Sequence, residues 1–316
     1  MTTKILFDTD PGIDDAMALF MLARDPRAEL VGITTVFGNA SVDTTTRNAL
    51  SLRERFGIHH VPVARGAARA IVKPSSGYAD FVHGQDGLGD VGTAPAENDT
   101  LDGRAAALFI IEMARRYSGE LVLVPVGPLT NIAHALQIDP DLPRHVRSVV
   151  LMGGAFGTLG HGGNMSPVAE ANIHGDPHAA DLVATADWPV TFVGLDVTHQ
   201  IRMSTAYLDE IGREGGVHGH YIRGITRFYE RFYAPRTGGG IYSHDASAVA
   251  CALDPSLFTL RHGPVRVVTD GIACGQTIQR LPGHPDPSPH WDGIRDQAVC
   301  VGVDSERVLR EYRALF

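Results

Sequence analysis

Short runs of aliphatic and β-branched residues recur along the chain, at 5–7, 30–36, 61–64, 121–126, 149–152 and 190–195, and each closes on small or polar residues. Runs this brief and this continuously apolar read as strands buried on both faces, as in a parallel sheet. Between them lie helix-like segments at 15–23, 43–56, 103–117, 131–138 and 177–185. Strand then helix, repeated, predicts an α/β fold with a mostly parallel central sheet and helices on both faces. A last strand at 298–303 and a closing helix end the chain. Neither an internal repeat nor a linker divides it, so residues 1–316 are expected to form a single domain whose core needs no disulfide or structural zinc.

In such sheets a ligand sits in the crevice outside the carboxyl ends of the strands, so the residues just after each run matter most. The first run delivers Asp8, Asp10, Asp14 and Asp15 within eight residues, with Pro11 and Gly12 tightening the turn and an apolar stretch resuming at Ala16. Four carboxylates this close repel by several kcal/mol at an intermediate dielectric, and a hard divalent cation with oxygen ligands is the usual relief. The alternative is a solvated acidic turn. Gly38 and Asn39 follow the second run, Gly127 to Asn131 the fourth, and Gly153 and Gly154 the fifth. Neither glycine turn has the spacing of a nucleotide-phosphate loop.

Composition narrows the partners. A formal net charge of −9 argues against a nucleic-acid polymer as ligand, which calls for a basic face. Cys251, Cys274 and Cys300 are scattered and odd in number, which reads as reduced core thiols of a cytosolic protein. The N-terminus runs straight into the first strand, and no apolar stretch approaches the roughly 18 residues of a membrane span, so a soluble, cytoplasmic protein is expected. Two segments read as mobile loops, 75–92 and the glycine-rich 236–240, while 281–297 reads as a surface excursion.

Three further constellations carry candidate chemistry. Asn164, Glu170 and Asn172 combine amides, which donate and accept, with an accepting carboxylate, a set suited to a polyol such as a sugar ring; helix capping would use the same residues. His244 and Asp245 precede an apolar helix-like segment, where Asp245 suits a cap and His244 either proton transfer near neutrality or a satisfied structural role. Phe228, Tyr229, Phe232 and Tyr233 fall at helical spacing, which is packing geometry first.

Taken together, residues 8–15, 33–39, 125–131, 150–154, 168–172, 194–198 and 244–245 resemble, in family order and over nearly the whole chain, the inosine-uridine preferring nucleoside hydrolases. The resemblance implies a Rossmann-like fold and hydrolysis of the N-glycosidic bond of ribonucleosides to ribose and free nucleobase. It implies one Ca2+ held by Asp10, Asp15 and Asp245 with the backbone carbonyl of Val126, where relatives often carry threonine. Asp14, Asn39, Asn164, Glu170 and Asn172 match positions that bind ribose hydroxyls, and Met152 one that packs against the sugar. His244 matches the position proposed to assist the leaving base, and Tyr229 and Tyr233 lie near the aromatic residues around it. His83 either approaches ribose or base when its loop closes, or is a surface histidine of that loop. Asp10 would serve as metal ligand and base toward water, and Asp14 would favour the developing oxocarbenium-like charge. Relatives are mostly homo-oligomers, so a homodimer or homotetramer is expected.

Two competing classes are weaker. A haloacid dehalogenase-like phosphohydrolase also opens with Asp-x-Asp after a strand, but Gly12, Asp14 and Asp15 depart from that motif. A ribose- or nucleoside-binding protein without turnover would show a lost ligand, and none of the positions named above is lost. Trp188 precedes a strand and Trp291 lies in the proline-rich excursion, so neither offers a base platform; purine and pyrimidine preference stay open.

Overall fold

Ile5, Leu6 and Phe7 are fully buried at the centre of strand β1 (Thr3–Thr9), which pairs in parallel with a neighbour on each side. Apolar clusters cover both faces of the strand, which is why the run carries no polar face. A computed structural model of the chain describes residues 2–74, 77–97, 100–281, 283 and 288–316. The strands that follow are β2 (Ala28–Thr35), β3 (Val63–Arg65), β4 (Leu121–Pro125), β5 (Val146–Met152), β6 (Val190–Val193), β7 (Arg202–Met203), β8 (Ile241–Tyr242), β9 (Phe258–Gly263), β10 (Val265–Val267), β11 (Thr277–Gln279) and β12 (Gln297–Val303). Eight of them form one sheet in the order β3-β2-β1-β4-β5-β6-β12-β9. Every pairing in it is parallel except β12 with the edge strand β9, whose half-exposed residues fit an antiparallel edge open to water on one side.

The helices are α1 (Ile13–Arg24), α2 (Val42–Arg55), α3 (Asp80–His83), α4 (Ala106–Arg116), α5 (Thr130–Ile138), α6 (Ala171–Gly175), α7 (Pro177–Thr185), α8 (Leu195–Thr198), α9 (Thr205–Glu214), α10 (Gly216–Thr237), α11 (Asp245–Leu253) and α12 (Ser305–Arg313). Alternation along β1 sends Ile5 and Phe7 into one apolar cluster with residues of α1, α10 and α11, and Leu6 into the opposite one with residues of α4, α5 and α7. The same alternation settles the place of Asp8. It points to the Leu6 face, where its Oδ1 accepts hydrogen bonds from Thr34 Oγ1 and from Asn131 Nδ2 at 2.7 Å. Asp8 ties β1 to β2 and α5, and burial raises its carboxyl to about 7. Asp8 therefore stands apart from Asp10, Asp14 and Asp15.

Chain order runs outward from β1 through β2 and β3 on one side and through β4, β5 and β6 on the other, so the crevice at the carboxyl ends of β1 and β4 is the topological switch point. Asp10 leaves β1 and Val126 leaves β4 at this crevice, with Val126 N–H donating to the Asp8 carbonyl at 2.8 Å.

Several sequence expectations shift in detail. Helix α1 begins at Ile13, two residues early, which places Asp14 and Asp15 in its first turn, where the helix dipole favours carboxylates. The 75–92 segment holds the short helix α3, and its residues 75 and 76 lie outside the described ones. Arg236 still belongs to α10; the break comes at Gly238, Gly239 and Gly240, all with positive φ, which glycine adopts without steric cost. Trp188 is fully buried against the sheet, while the excursion carrying Trp291 lies partly outside the described residues. Cys251 and Cys300 are buried free thiols, but Cys274 is only half-buried. No described helix is long and apolar enough to cross a membrane.

Candidate active site

Asp15 is the anchored member of the acidic group. Its Oδ1 accepts from Thr9 Oγ1 and from Asp10 N–H, and its Oδ2 from Gly12 N–H at 2.9 Å and Asn39 Nδ2 at 3.0 Å. Asp14 is held by one oxygen, its Oδ2 accepting from Tyr229 Oη at 3.0 Å, and Asp10 likewise by Asn39 N–H at 2.7 Å on Oδ2. The second oxygen of each, Oδ1, is buried among the described residues with no hydrogen-bond partner. Asp245 arrives from across the sheet at the first position of α11.

Carboxylate oxygens of Asp14, Asp15 and Asp245 all lie within 4.8 Å of one another. Asp10 stands beside this trio, outside its common radius but close enough to raise Asp245 electrostatically. Burial lifts Asp14 and Asp15 to about 6, Asp14 adding repulsion to Asp15, and pushes Asp10 and Asp245 well above the usual carboxylate range. Two orphaned buried oxygens in an all-carboxylate group fit a hard divalent cation, which takes oxygen donors and neutralises their repulsion. The expected ligand Asp10 and the expected sugar contact Asp14 are thus both placed at the group, with Asp14 the nearer to Asp15 and Asp245.

Glycine makes room for Asp10. A Cβ on Gly38 would fall 2.0 Å from its Oδ2, and one on Gly127 2.5 Å from its Oδ1, so the two strand-end glycines form a slot that fits a carboxylate and nothing larger.

A cavity of about 400 Å³ opens beside the acidic group. Its polar lining includes Asp14, Asn39, Asn164, Glu170 and Asn172, with Val126 and Met152 beside them. Glu170 caps α6, its carboxylate accepting from the N–H groups of Gly154, Asn172 and Ile173. The capping alternative and the cavity position therefore coexist in one residue. Asn172 Nδ2 donates to the Val126 carbonyl at 2.8 Å and to the Met152 carbonyl at 3.1 Å, and Asn164 stands exposed at the rim. The rest of the lining is rich in aromatic and imidazole groups: Tyr229 and Tyr233, one turn apart on α10, with Phe232, Arg236, His199, Tyr242 and His244.

His244 is fully engaged, its Nδ1 with Thr198 Oγ1 and its Nε2 with Tyr233 Oη, both at 2.8 Å. Burial holds its pKa well below the ordinary histidine value, so the ring is neutral. His83 is not a surface residue. It is buried, and its Nδ1 accepts from Ile13 N–H at 3.1 Å, satisfying a donor that the start of α1 leaves free; burial lowers its pKa to about 4. His199 escaped the sequence reading, which gave Arg236, Tyr242 and Thr198 no site role. His199 and Thr198 close the segment after β6, so the strand-end rule that found Asp10 would have found them too.

The sequence profile of the inosine-uridine preferring nucleoside hydrolases matches residues 5–310. The chain belongs to that family. It is a nucleoside hydrolase, an enzyme of the N-glycosidase class. This hydrolase is 41% identical to uridine nucleosidase 1 of Arabidopsis thaliana, over 98% of its own length and 92% of the relative's. It is 39% identical to an inosine-uridine preferring nucleoside hydrolase of Leishmania major, over 88% of each chain. Its fold matches that of a plant nucleoside hydrolase of solved structure with a TM-score of 0.95, at 36% identity, covering 100% of this chain and 99% of that one.

Proposed function

We propose that this hydrolase cleaves ribonucleosides to ribose and free base with one bound Ca2+. The observation that carries the reading is one cavity lined both by carboxylates and amides, matched to sugar hydroxyls, and by aromatic and imidazole groups, matched to a base. The substrates in the names of the Arabidopsis and Leishmania relatives support it.

Asp10, Asp15 and Asp245 with the Val126 carbonyl would hold the ion, and Asp14, grouped with Asp15 and Asp245 and with its Oδ1 unpartnered, would face the sugar. Bound there, the ion supplies positive charge that orients a water and eases its deprotonation. Asp10 is the base: its Oδ2 is fixed by Asn39 while its Oδ1 is free to take a proton. Asn39, Asn164, Glu170 and Asn172 orient the ribose, with Met152 beneath it, and Asp14 stabilises charge developing on the ring as the C1′–N bond lengthens. The water oxygen bonds to C1′, its proton passes to Asp10, and the bond pair departs with the base.

Ribose release from uridine, inosine, cytidine and adenosine, with calcium and with a chelator, tests the proposal. Calcium-dependent release from at least one of them is expected; no release from any would overturn it.

Departure of the base draws on the chain Thr198, His244, Tyr233, in which a neutral imidazole receives a proton on one side as it gives one on the other. His244→Ala is expected to slow uridine hydrolysis by about 10²-fold or more while sparing a ribofuranoside with a nitrophenoxide leaving group. Equal losses on both would remove His244 from leaving-group assistance.

A further inference from the structure

Among the aromatic and imidazole groups that line the cavity, most polar atoms are already committed. The Tyr229 hydroxyl donates to Asp14, the Tyr233 hydroxyl meets His244, and both nitrogens of His244 are taken. Three groups of that set have no hydrogen-bond partner among the described residues: the ring nitrogens of His199, the guanidinium of Arg236 and the hydroxyl of Tyr242. His199 is half-buried, its ring 4.5 Å from that of Tyr242 and 5.7 Å from that of His244. Arg236 rests its guanidinium 5.0 Å over the ring of Phe232, a cation–π seat that holds the charge at the cavity's edge. It stands near enough to depress the pKa of His199 and of Tyr233.

The donor chemistry is selective. Arg236 donates only and so sets the sign of the preference, while the neutral His199 imidazole has one N–H to give and one nitrogen that accepts. Uracil and hypoxanthine present exocyclic carbonyl oxygens, which accept. Cytosine and adenine present an amino group at the corresponding carbon, which would set N–H against N–H. The reaction adds a second reason: when the C1′–N bond breaks, its electron pair stays with the base, and in an oxo-base that charge spreads onto the carbonyl oxygens. A permanent cation beside those oxygens stabilises the departing base before any proton reaches it.

We propose that His199 and Arg236 are the specificity-determining pair of this site, reading a carbonyl oxygen on the nucleobase and stabilising its negative charge on departure. The assignment rests on the ribonucleoside hydrolase reading, deepens it, and gives two residues outside the ribose and acidic groups a role.

The test compares kcat/KM for uridine against cytidine and for inosine against adenosine, with calcium present, in the unaltered enzyme and in Arg236→Ala, Arg236→Lys and His199→Ala. The unaltered enzyme is expected to prefer the oxo member of each pair. Arg236→Ala and His199→Ala are each expected to lower that preference roughly tenfold, the scale of one charge-assisted hydrogen bond, with most of the loss on the oxo substrate. Arg236→Lys retains the cation and should recover part of it. A merely structural role would slow all four substrates alike, and unchanged oxo-to-amino ratios in both alanine variants would overturn the assignment while leaving the reaction standing. Failure of the unaltered enzyme to release ribose from any nucleoside would instead overturn the reaction, and the assignment with it.

Discussion

Asp10→Asn is expected to lower kcat for ribonucleoside hydrolysis by about a thousandfold or more, with the fold and its unfolding midpoint kept close to those of the unaltered enzyme. The amide fits the slot between Gly38 and Gly127 and can still accept the Asn39 N–H, but it cannot take a proton from water. The slot supplies an independent check. Gly38→Ala leaves Asp10 chemically intact yet sets a methyl group 2.0 Å from its Oδ2, so the carboxylate must turn out of place. A steep fall in kcat is expected there too, since displacement of a reacting group by about 1 Å costs about 10²-fold. Steady-state rates on uridine, read beside circular dichroism, measure both. Near-normal turnover in Asp10→Asn would remove Asp10 as the base.

Calcium is expected to raise the unfolding temperature of chelator-treated protein by several degrees at pH 7.5 and by much less at pH 5. Burial raises Asp14 and Asp15 from 3.8 to about 6, so in the metal-free fold their protonated forms are favoured. The corresponding stability is fully present below the unfolded value near 3.8 and is lost as pH rises through 6. A divalent cation replaces what the lost protons supplied, and it does so by binding the folded state alone. Thermal unfolding with and without calcium at the two pH values decides it. An equal calcium effect at both, or none at either, would sever the ion from the acidic group.

How far the chain could be read depended on whether a residue's role lay in its own segment. Asp10, Asp14 and Asp15 were legible because strand, tight turn and helix start lie within a few residues, and the chemistry of crowded carboxylates needs no partner to be recognised. Asp8 was set apart by having no ligand role to fill, but what it ties together was not legible, because its partners Thr34 and Asn131 are remote in sequence. His83 left two readings open, since only docking of α3 on the start of α1 buries it against Ile13 N–H. The aromatic pattern on α10 spoke first for packing, and Tyr229 and Tyr233 do pack in the core, yet the same hydroxyls reach Asp14 and His244.

The parallel α/β architecture, the strand-end acidic segment and the family likeness were determined by the chain alone, because burial patterns and short turns are local and repeat at fixed periods. Which oxygens meet was decided only by the tertiary structure. Asp245 joins Asp14 and Asp15 because α11 starts at the same crevice as α1, and Val126 and Asn172 meet because β4 ends beside α6. The free donors of His199 and Arg236 come to one cavity in the same way, from the end of α8 and the last turn of α10. Contacts between such distant segments follow from how packed layers stack, and no periodicity along the chain encodes which distant side chains a crevice will hold.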